Sequence, residues 1–409
     1  MATYDNYKDS GVKWLGQIPS HWEITTLRRF LKPFSDKNHP DKPLLSVTRE
    51  RGVIVRGTKG EDDNHNIIPE DLSGYKYIQQ GDFVINKMKS WQGSYGVTDY
   101  DGIVSPAYFT YHLNIENKKF FSTALRSKAY IPFFMQYSKG IRVDQWDLSP
   151  DSLKNIPFFL PPIKEQEAIV AYLDKVTGDI DRAIEAQQKM IEALNERKLI
   201  IITNAVTKGL NPDAPLKDSG IDWLGQIPQH WDVIPMRYLC RIKTGDKDTI
   251  MRDDNGKYPF YVRSPKVEKI NTYSFDGEAI LMAGDGVGAG KVFHYVNGKF
   301  DFHQRVYNFH NFNIIKGKYL FYYLSANFRY KIEEGGAKST VDSVRLPWLK
   351  SFPICIPSPE EQNNIIEHID NEIIKLDDVI AHSEKMIALL QERKQIIINE
   401  VVTGKKKVI

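Results

Sequence analysis

The sequence predicts an α+β protein: two tandem α+β domains separated by a long antiparallel two-helix coiled coil, built on a pseudo-two-fold internal repeat. Three observations carry that prediction. Residues 164–208, a run without proline and with one glycine, are copied at 360–404 at a constant offset of 196. Glu165/Glu361, Gln166/Gln362, Lys189-Met190-Ile191/Lys385-Met386-Ile387 and Glu196-Arg197-Lys198/Glu392-Arg393-Lys394 fall in register. Residues 9–24, DSGVKWLGQIPSHWEI, return at 218–233 as DSGIDWLGQIPQHWDV, with eleven of sixteen positions identical. The stretches between each lead-in segment and its long run diverge almost completely. The expected division is 1–160, first variable domain; 161–209, central helix; 210–356, second variable domain; and 357–409, distal helix.

The two offsets, 209 and 196, differ by 13, so the first variable domain holds 13 extra residues. Gly81-Asp82 and Gly277-Glu278 already obey the offset of 196, which puts the insertion between Ile24 and Gly81. The hydrophilic stretch TRERGVIVRGTKGEDDNHN, residues 48–66, reads as strand-poor and is its expected place. Strands are expected in KYIQQGDFVINKM, GIVSPAYFTYHL and NIPFFLP of the first domain, and in EAILMAG, KVFHYV and RVYNFHNFNII of the second. One shorter helix is expected in each half, near Phe120–Tyr137 and near Tyr319–Glu333. Gly140/Gly336, Leu153-Lys154/Leu349-Lys350 and Pro157/Pro353 align ahead of the long runs, and the prolines at 161–162 and at 357 and 359 stop the sheet before helix entry.

In the long runs, apolar residues recur at steps of three and four. The first copy has Ile169, Leu173, Val176, Ile180, Ile184, Ile191, Leu194, Ile201 and Ala205; the second has Ile365, Ile369, Leu376, Ile380, Ile387, Leu390, Ile397 and Val401. Such a seam predicts helix-on-helix packing. Some 44 residues at about 1.5 Å each make a rod of about 66 Å. At Gln187 and Ser383 the seam turns polar, either as a register-setting layer or as a solvated gap. Gly178 costs about 1 kcal/mol in a helix interior. Its counterpart Ile374 gives no reason to expect a kink.

A net charge of +3 over 409 residues neither demands nor excludes nucleic acid, so clustering has to decide. Two cysteines, Cys240 and Cys355, build neither a disulfide framework nor a zinc site and suit a reducing cytoplasm. The polar start of the chain predicts no signal peptide, and no apolar run reaches the roughly 18 residues that span a bilayer.

The alternation of variable domain and repeated helix, both lead-in segments, and the strings PPIKEQEAI, MIEALNERK and NAVTKGL resemble the DNA-specificity subunit of type I restriction-modification enzymes over essentially the whole chain. The resemblance implies that each variable domain is a target-recognition domain for half of a bipartite double-stranded DNA sequence, and that the helices act as a ruler. It also implies a bundle docking two methyltransferase (modification) subunits, with restriction subunits completing an ATP-dependent nuclease. S-adenosylmethionine, ATP and magnesium would then belong to partner subunits, with no cofactor on this chain.

No chemistry of the chain's own is expected. Gly284-Asp285-Gly286-Val287-Gly288-Ala289-Gly290-Lys291 is not a P-loop, because Val292 follows Lys291 and the glycine spacing fails. With KVFHYV reading as a strand after it, the string predicts a hairpin turn or a loop whose backbone approaches DNA. Ser105-Pro106-Ala107-Tyr108 lacks the second proline of the adenine-methyltransferase motif.

DNA contact is expected instead at the loop after Gly81-Asp82, residues 86–95, which combines phosphate-seeking Lys87 and Lys89, a base-reading amide (Gln92) and the aromatic Trp91, with Ser94 a further candidate. The aligned glycine-rich loop offers Gly286, Gly288 and Lys291. Arg49, Arg51, Arg56 and Lys59 of the insertion form a further set, and Arg252, Arg263, Lys266, Gln304 and Arg305 form its counterpart. Ordinary solvated turns are the competing reading for all of them. Trp14, Trp22, Trp223 and Trp231 are expected as core anchors of the lead-in segments.

Polar identity on the helices, at Glu192, Glu196, Arg197 and Lys198 and at Gln391, Glu392, Arg393 and Lys394, points to one kind of partner met twice, against a duplication that has not diverged. Two rival functions remain. A fused methyltransferase is disfavoured by the lack of a long doubly wound domain. A coiled-coil protein-protein adaptor without DNA specificity has room in the near-neutral charge.

Overall fold

The computed structural model describes residues 3–57, 68–140, 146–334 and 343–408. They form two compact units, 1–187 with 385–409 and 188–384.

The first unit opens with a hairpin of β1 (Tyr7–Asp9) and β2 (Gln17–Pro19), then β3 (Glu23–Thr26) and β4 (Leu31–Phe34). A second hairpin follows, β5 (Leu45–Thr48) with β6 (Gly52–Val55), and then β7 (Lys76–Ile78), β8 (Phe83–Ile85), β9 (Tyr95–Val97), β10 (Gly102–Val104) and β11 (Phe109–Leu113). Helices α1 (Lys118–Arg126), α2 (Ile131–Tyr137) and α3 (Pro150–Lys154) lead to β12 (Pro157–Leu160) and the 46-residue α4 (Ile163–Lys208). The central sheet runs β4-β11-β8-β9, all antiparallel, while β12 pairs with β3.

The second unit repeats the plan. It has β13 (Leu216–Asp218), β14 (Gln226–Pro228), β15 (Asp232–Pro235), β16 (Arg241–Thr244), β17 (Tyr258–Tyr261), β18 (Val267–Ile270), β19 (Phe275–Ala283), β20 (Phe293–Phe302) and β21 (Val306–His310). Then come α5 (Gly317–Glu334), α6 (Leu346–Ser351), β22 (Pro353–Ile356) and the 44-residue α7 (Pro359–Val402). Its sheet runs β16-β21-β19-β20-β17-β18, with β17 parallel to β20. The first four strands reproduce the order of the first unit.

Three local expectations are corrected. The stretch 48–66 is not uniformly strand-poor: Val53 and Ile54 pair with Val47 and Ser46 and are buried, so Gly52–Val55 folds as the second arm of a hairpin. Its remainder from residue 58 lies outside the described residues. The single helix near Phe120–Tyr137 is two, because the backbone turns extended at Ser127 and Pro132 opens a new first turn. Trp22 and Trp231 are fully buried, but Trp14 is 43% exposed against the edge of Phe133, and Trp223 is half-buried, stacked on Phe352 and Tyr330.

The repeated Glu-Gln pair at each helix start has a structural employment. Glu165 accepts from Trp22 Nε1 at 3.0 Å, from the Tyr4 hydroxyl, and lies 2.8 Å from His21 Nε2. Glu361 repeats this with Trp231 Nε1 at 3.3 Å and His230 Nε2 at 2.8 Å, and closes a capping box with Ser358. Burial pushes the Glu361 carboxyl up, but hydrogen bonds from His230, Ser358 and Trp231 outweigh it and hold the group below the usual carboxylate range. Gln166 and Gln362 each donate to the proline carbonyl five residues earlier, Pro161 at 2.8 Å and Pro357 at 3.1 Å. The lead-in segment is thereby bolted to the long helix in both units.

Within each unit, two helix segments share the core and run antiparallel. In the first, Ile169, Leu173 and Ile180 of α4 pack in one cluster with Ile397, Val401 and Val402 of α7, and Lys394 Nζ pairs with Asp181 at 2.6 Å. In the second, Ala205 and Val206 join Ile365 and Ile369, and Lys198 Nζ pairs with Asp377 at 2.5 Å. The two ion pairs are each other's images at the offset of 196.

Candidate nucleic-acid interface

In the strand order of each unit, the third and fourth strands are joined by one hairpin loop: residues 86–94 between β8 and β9, and 284–292 between β19 and β20. These are the two loops that the sequence repeat aligned. The glycine-rich string is a hairpin turn, since Met282 pairs with Phe293 across it.

In the first unit the loop folds into a 3-10 turn, Ser90–Gln92, closed by Gly93 at φ +97°. Trp91 Nε1 donates to the Met88 carbonyl at 3.2 Å, and its ring meets the edge of Trp146. Lys89 is exposed. Lys87 instead pairs with Asp147 at 3.0 Å, and its carbonyl accepts from Leu148 N–H, so it fastens the loop to the segment before α3. Ser94 is 3% exposed beneath the loop, its N–H donating to the Lys89 carbonyl; it supports the turn from below and does not line the surface.

The tip of the β5–β6 hairpin comes to the same place. Arg49 Nη2 donates to Gln92 Oε1 at 2.7 Å, joining two residues that the sequence put in separate sets. Arg51 is exposed at the same tip, Arg56 is half-buried at the far end of β6, and Lys59 lies outside the described residues. Arg126, which no sequence motif singles out, holds the tip: it donates to the carbonyls of Tyr95 at 2.7 Å, Glu50 at 2.6 Å and Arg49 at 3.2 Å. Burial pushes its guanidinium down from the ordinary value.

In the second unit an acid organises the basic set. Asp285, in the loop, pairs with Arg263 Nη1 at 3.1 Å and with Arg305 Nε at 3.6 Å. Arg263 comes from the β17–β18 turn and Arg305 from the β20–β21 turn, so one carboxylate gathers three loops. Gln304 Nε2 reaches Asp248 at 3.2 Å and brings in a fourth loop, that of residues 245–252. A Cβ at Gly288 would sit 2.5 Å from the Arg263 carbonyl oxygen, and Gly286 has φ +73°, so both glycines are required by the fold of the loop. Lys291 and Arg252 are exposed, the latter some way off after the 3-10 turn Thr249–Met251, and Lys266 pairs with Glu268 at 3.3 Å. The sequence alone held no signal for Asp285 as the organiser, because an acid inside a glycine-rich turn is ordinary turn chemistry.

On the helices, Glu192, Glu196 and Arg197, and Gln391, Glu392 and Arg393, are exposed. Lys198 and Lys394 are occupied by Asp377 and Asp181, so their repetition is accounted for inside the chain. Among the described residues no helix is long and apolar enough to cross a membrane, and no three His, Cys, Asp or Glu side chains gather as metal ligands.

The family model described as the type I restriction modification DNA specificity domain matches residues 23–193 and 228–386. The chain is 30% identical over 180 residues to the type I restriction enzyme EcoDI specificity subunit of Escherichia coli, a match covering 44% of this chain and 39% of that protein. It is 25% identical to the putative type I restriction enzyme MjaX specificity subunit of Methanocaldococcus jannaschii, over 98% of both chains. A solved structure from work on complex assembly and conformational transition of the type I R-M system shares the fold, with TM-score 0.64 at 16% identity over 95% of this chain and 99% of that one. The chain, matched by that model over most of its length and in both repeats, belongs to the type I restriction-modification DNA specificity family, and its function is that of a DNA specificity subunit.

Proposed function

We propose that the chain reads a two-part DNA target, one half with each variable domain, and that α4 and α7 together form an antiparallel coiled-coil spacer that sets the distance between the halves. The observation that carries the reading is the paired placement of arginine-bearing turns against the same hairpin loop in both units: Arg49 on Gln92, and Arg263 with Arg305 on Asp285. Arginine and glutamine are the side chains that discriminate guanine and adenine in the major groove, while lysines such as Lys89 position the protein on phosphates. The four-part division at 160, 209 and 356 belongs to this reading. Two modules on one face of B-DNA favour half-sites about one turn, some 34 Å, apart.

The chain works without catalysis of its own, and two methyltransferase subunits dock on the helices, with restriction subunits completing the complex. S-adenosylmethionine, ATP and magnesium reside on those partners. Support for two docking sites of one kind comes from exposed apolar residues repeated at the offset of 196, Met190/Met386 and Ile200/Ile396, on the same helices as the exposed Arg197/Arg393.

The test exchanges residues 234–348 for the corresponding domain of another family member and maps methylated sites by sequencing. One half-site should change and the other persist. An unchanged target, or loss of both halves, contradicts modular reading.

A further inference from the structure

We propose that Val287 is a thymine-reading residue of the second module, its isopropyl group meeting the C5-methyl of a thymine in the major groove between contacts made by Arg263 and Arg305. The inference rests on the DNA-reading function and names one determinant of it. Among the described residues the two most exposed large apolar side chains are Val287, at 93%, and Ile250, at 87%. Both belong to the one cluster of loops gathered by Asp285 and by the Gln304–Asp248 bond, whereas lone exposed apolar residues need no common address.

Val287 is displayed on a rigid support. Gly288 packs against the Arg263 carbonyl so closely that no Cβ fits, and Ala289 next to it is buried. Gly290 N–H donates to the Ala283 carbonyl at 2.9 Å and Gly284 N–H to the Arg305 carbonyl at 2.8 Å. The loop is therefore tied at both ends while its apolar tip faces water, where the side chain stabilises nothing in the free protein. Duplex DNA offers one apolar group on its recognition edges, the thymine methyl, and it lies in the groove wide enough to admit a β-hairpin. Two guanidinium groups held by one carboxylate of the same loop, Asp285, supply the positive potential that brings such a tip to DNA.

The experiment uses the full-length chain assembled with its methyltransferase subunits. Methylation mapping gives the target, and the exchange of residues 234–348 assigns one half-site to the second module. Each thymine of that half-site is then replaced singly by deoxyuridine, which removes only the methyl group, and binding is measured for wild type and Val287→Ala. One replacement should weaken wild-type binding about 4-fold, the effect of one buried methyl, and leave Val287→Ala unaffected. Val287→Ala should bind the unmodified duplex as weakly as wild type binds the deoxyuridine one. No sensitive thymine, the same penalty in both proteins, or a half-site without an A·T pair overturns the proposal while leaving DNA reading intact. A wild-type assembly with no sequence preference overturns the DNA reading itself and the proposal with it.

Discussion

The two variable domains are most alike where the repeated contacts hold each unit together and least alike at the hairpin-loop edge proposed to meet DNA. Both bolt a buried tryptophan to the first turn of a long helix through glutamate, and both seal the preceding prolines with a buried glutamine. At the topologically equivalent hairpin loops the resemblance ends. The first loop is polar, pinned from below by Lys87–Asp147 and Ser94, and touched by Arg49 through Gln92. The second is glycine-rich, clamps two arginines with Asp285 and displays Val287. The difference teaches that stability is stored in the repeated contacts, which leaves the loop residues free to diverge without unfolding either module.

The largest effects should therefore fall on the shared frame. Trp22→Ala and Trp231→Ala each empty a fully buried site and take one hydrogen-bond donor from a glutamate. Each should cost about 3–5 kcal/mol of stability, the range for a large aromatic cut to alanine in a core. Urea unfolding of the two variants measures it. A loss below about 1 kcal/mol in either would break the claim that the frame is common to both halves.

At the reading edge the two modules should separate. Arg263→Ala should lower discrimination at one base position of the second half-site by about 1–3 kcal/mol and leave the first half-site unchanged. Arg49→Ala should do the reverse. Competition binding with single-base variants of the target reads both, and a variant that weakens both half-sites equally would show that its arginine meets phosphate and not a base edge.

The frame was legible because repetition itself is information. Glu165-Gln166 and Glu361-Gln362 stood out at a fixed offset, and their contacts explain why polar identity was kept. Helix lengths were legible from the apolar seam and its proline boundaries. The proposed reading edge was less so, because its parts come from turns far apart in sequence. Arg126 looks like any helical arginine until its guanidinium is found on two carbonyls of the β5–β6 tip and one at the start of β9. Arg49 and Gln92 are 43 residues apart, and nothing local couples them. The β5–β6 hairpin was hidden by charged residues at its turn, although Leu45, Val47 and Val53 carry its buried face.

Lysines at the first loop test the same contrast at lower cost to binding. Lys89→Ala should weaken binding evenly across sequences and reduce the slope of log affinity against log salt by about one unit. Lys87→Ala should leave that slope nearly unchanged, since Lys87 is neutralised by Asp147 at 3.0 Å, and should instead loosen the loop. Salt titrations of the two variants distinguish the roles, and a slope change larger for Lys87→Ala than for Lys89→Ala would reverse the assignment.

The smallest expected effect tests the symmetry most directly. Asp181–Lys394 and Asp377–Lys198 are images of one another, each a half-exposed pair between antiparallel helix segments. Pairs of this exposure contribute about 0.2–1 kcal/mol, set by Coulomb attraction against side-chain entropy and screening. Double-mutant cycles on the two pairs, with alanine at each position, should give coupling energies that agree within about 0.5 kcal/mol and shrink together as salt is raised. Coupling at one pair and none at the other would mean that the helices keep the repeat in sequence but have lost it in energy. The identity of Glu196-Arg197-Lys198 and Glu392-Arg393-Lys394 would then have to be held by the docking surface alone.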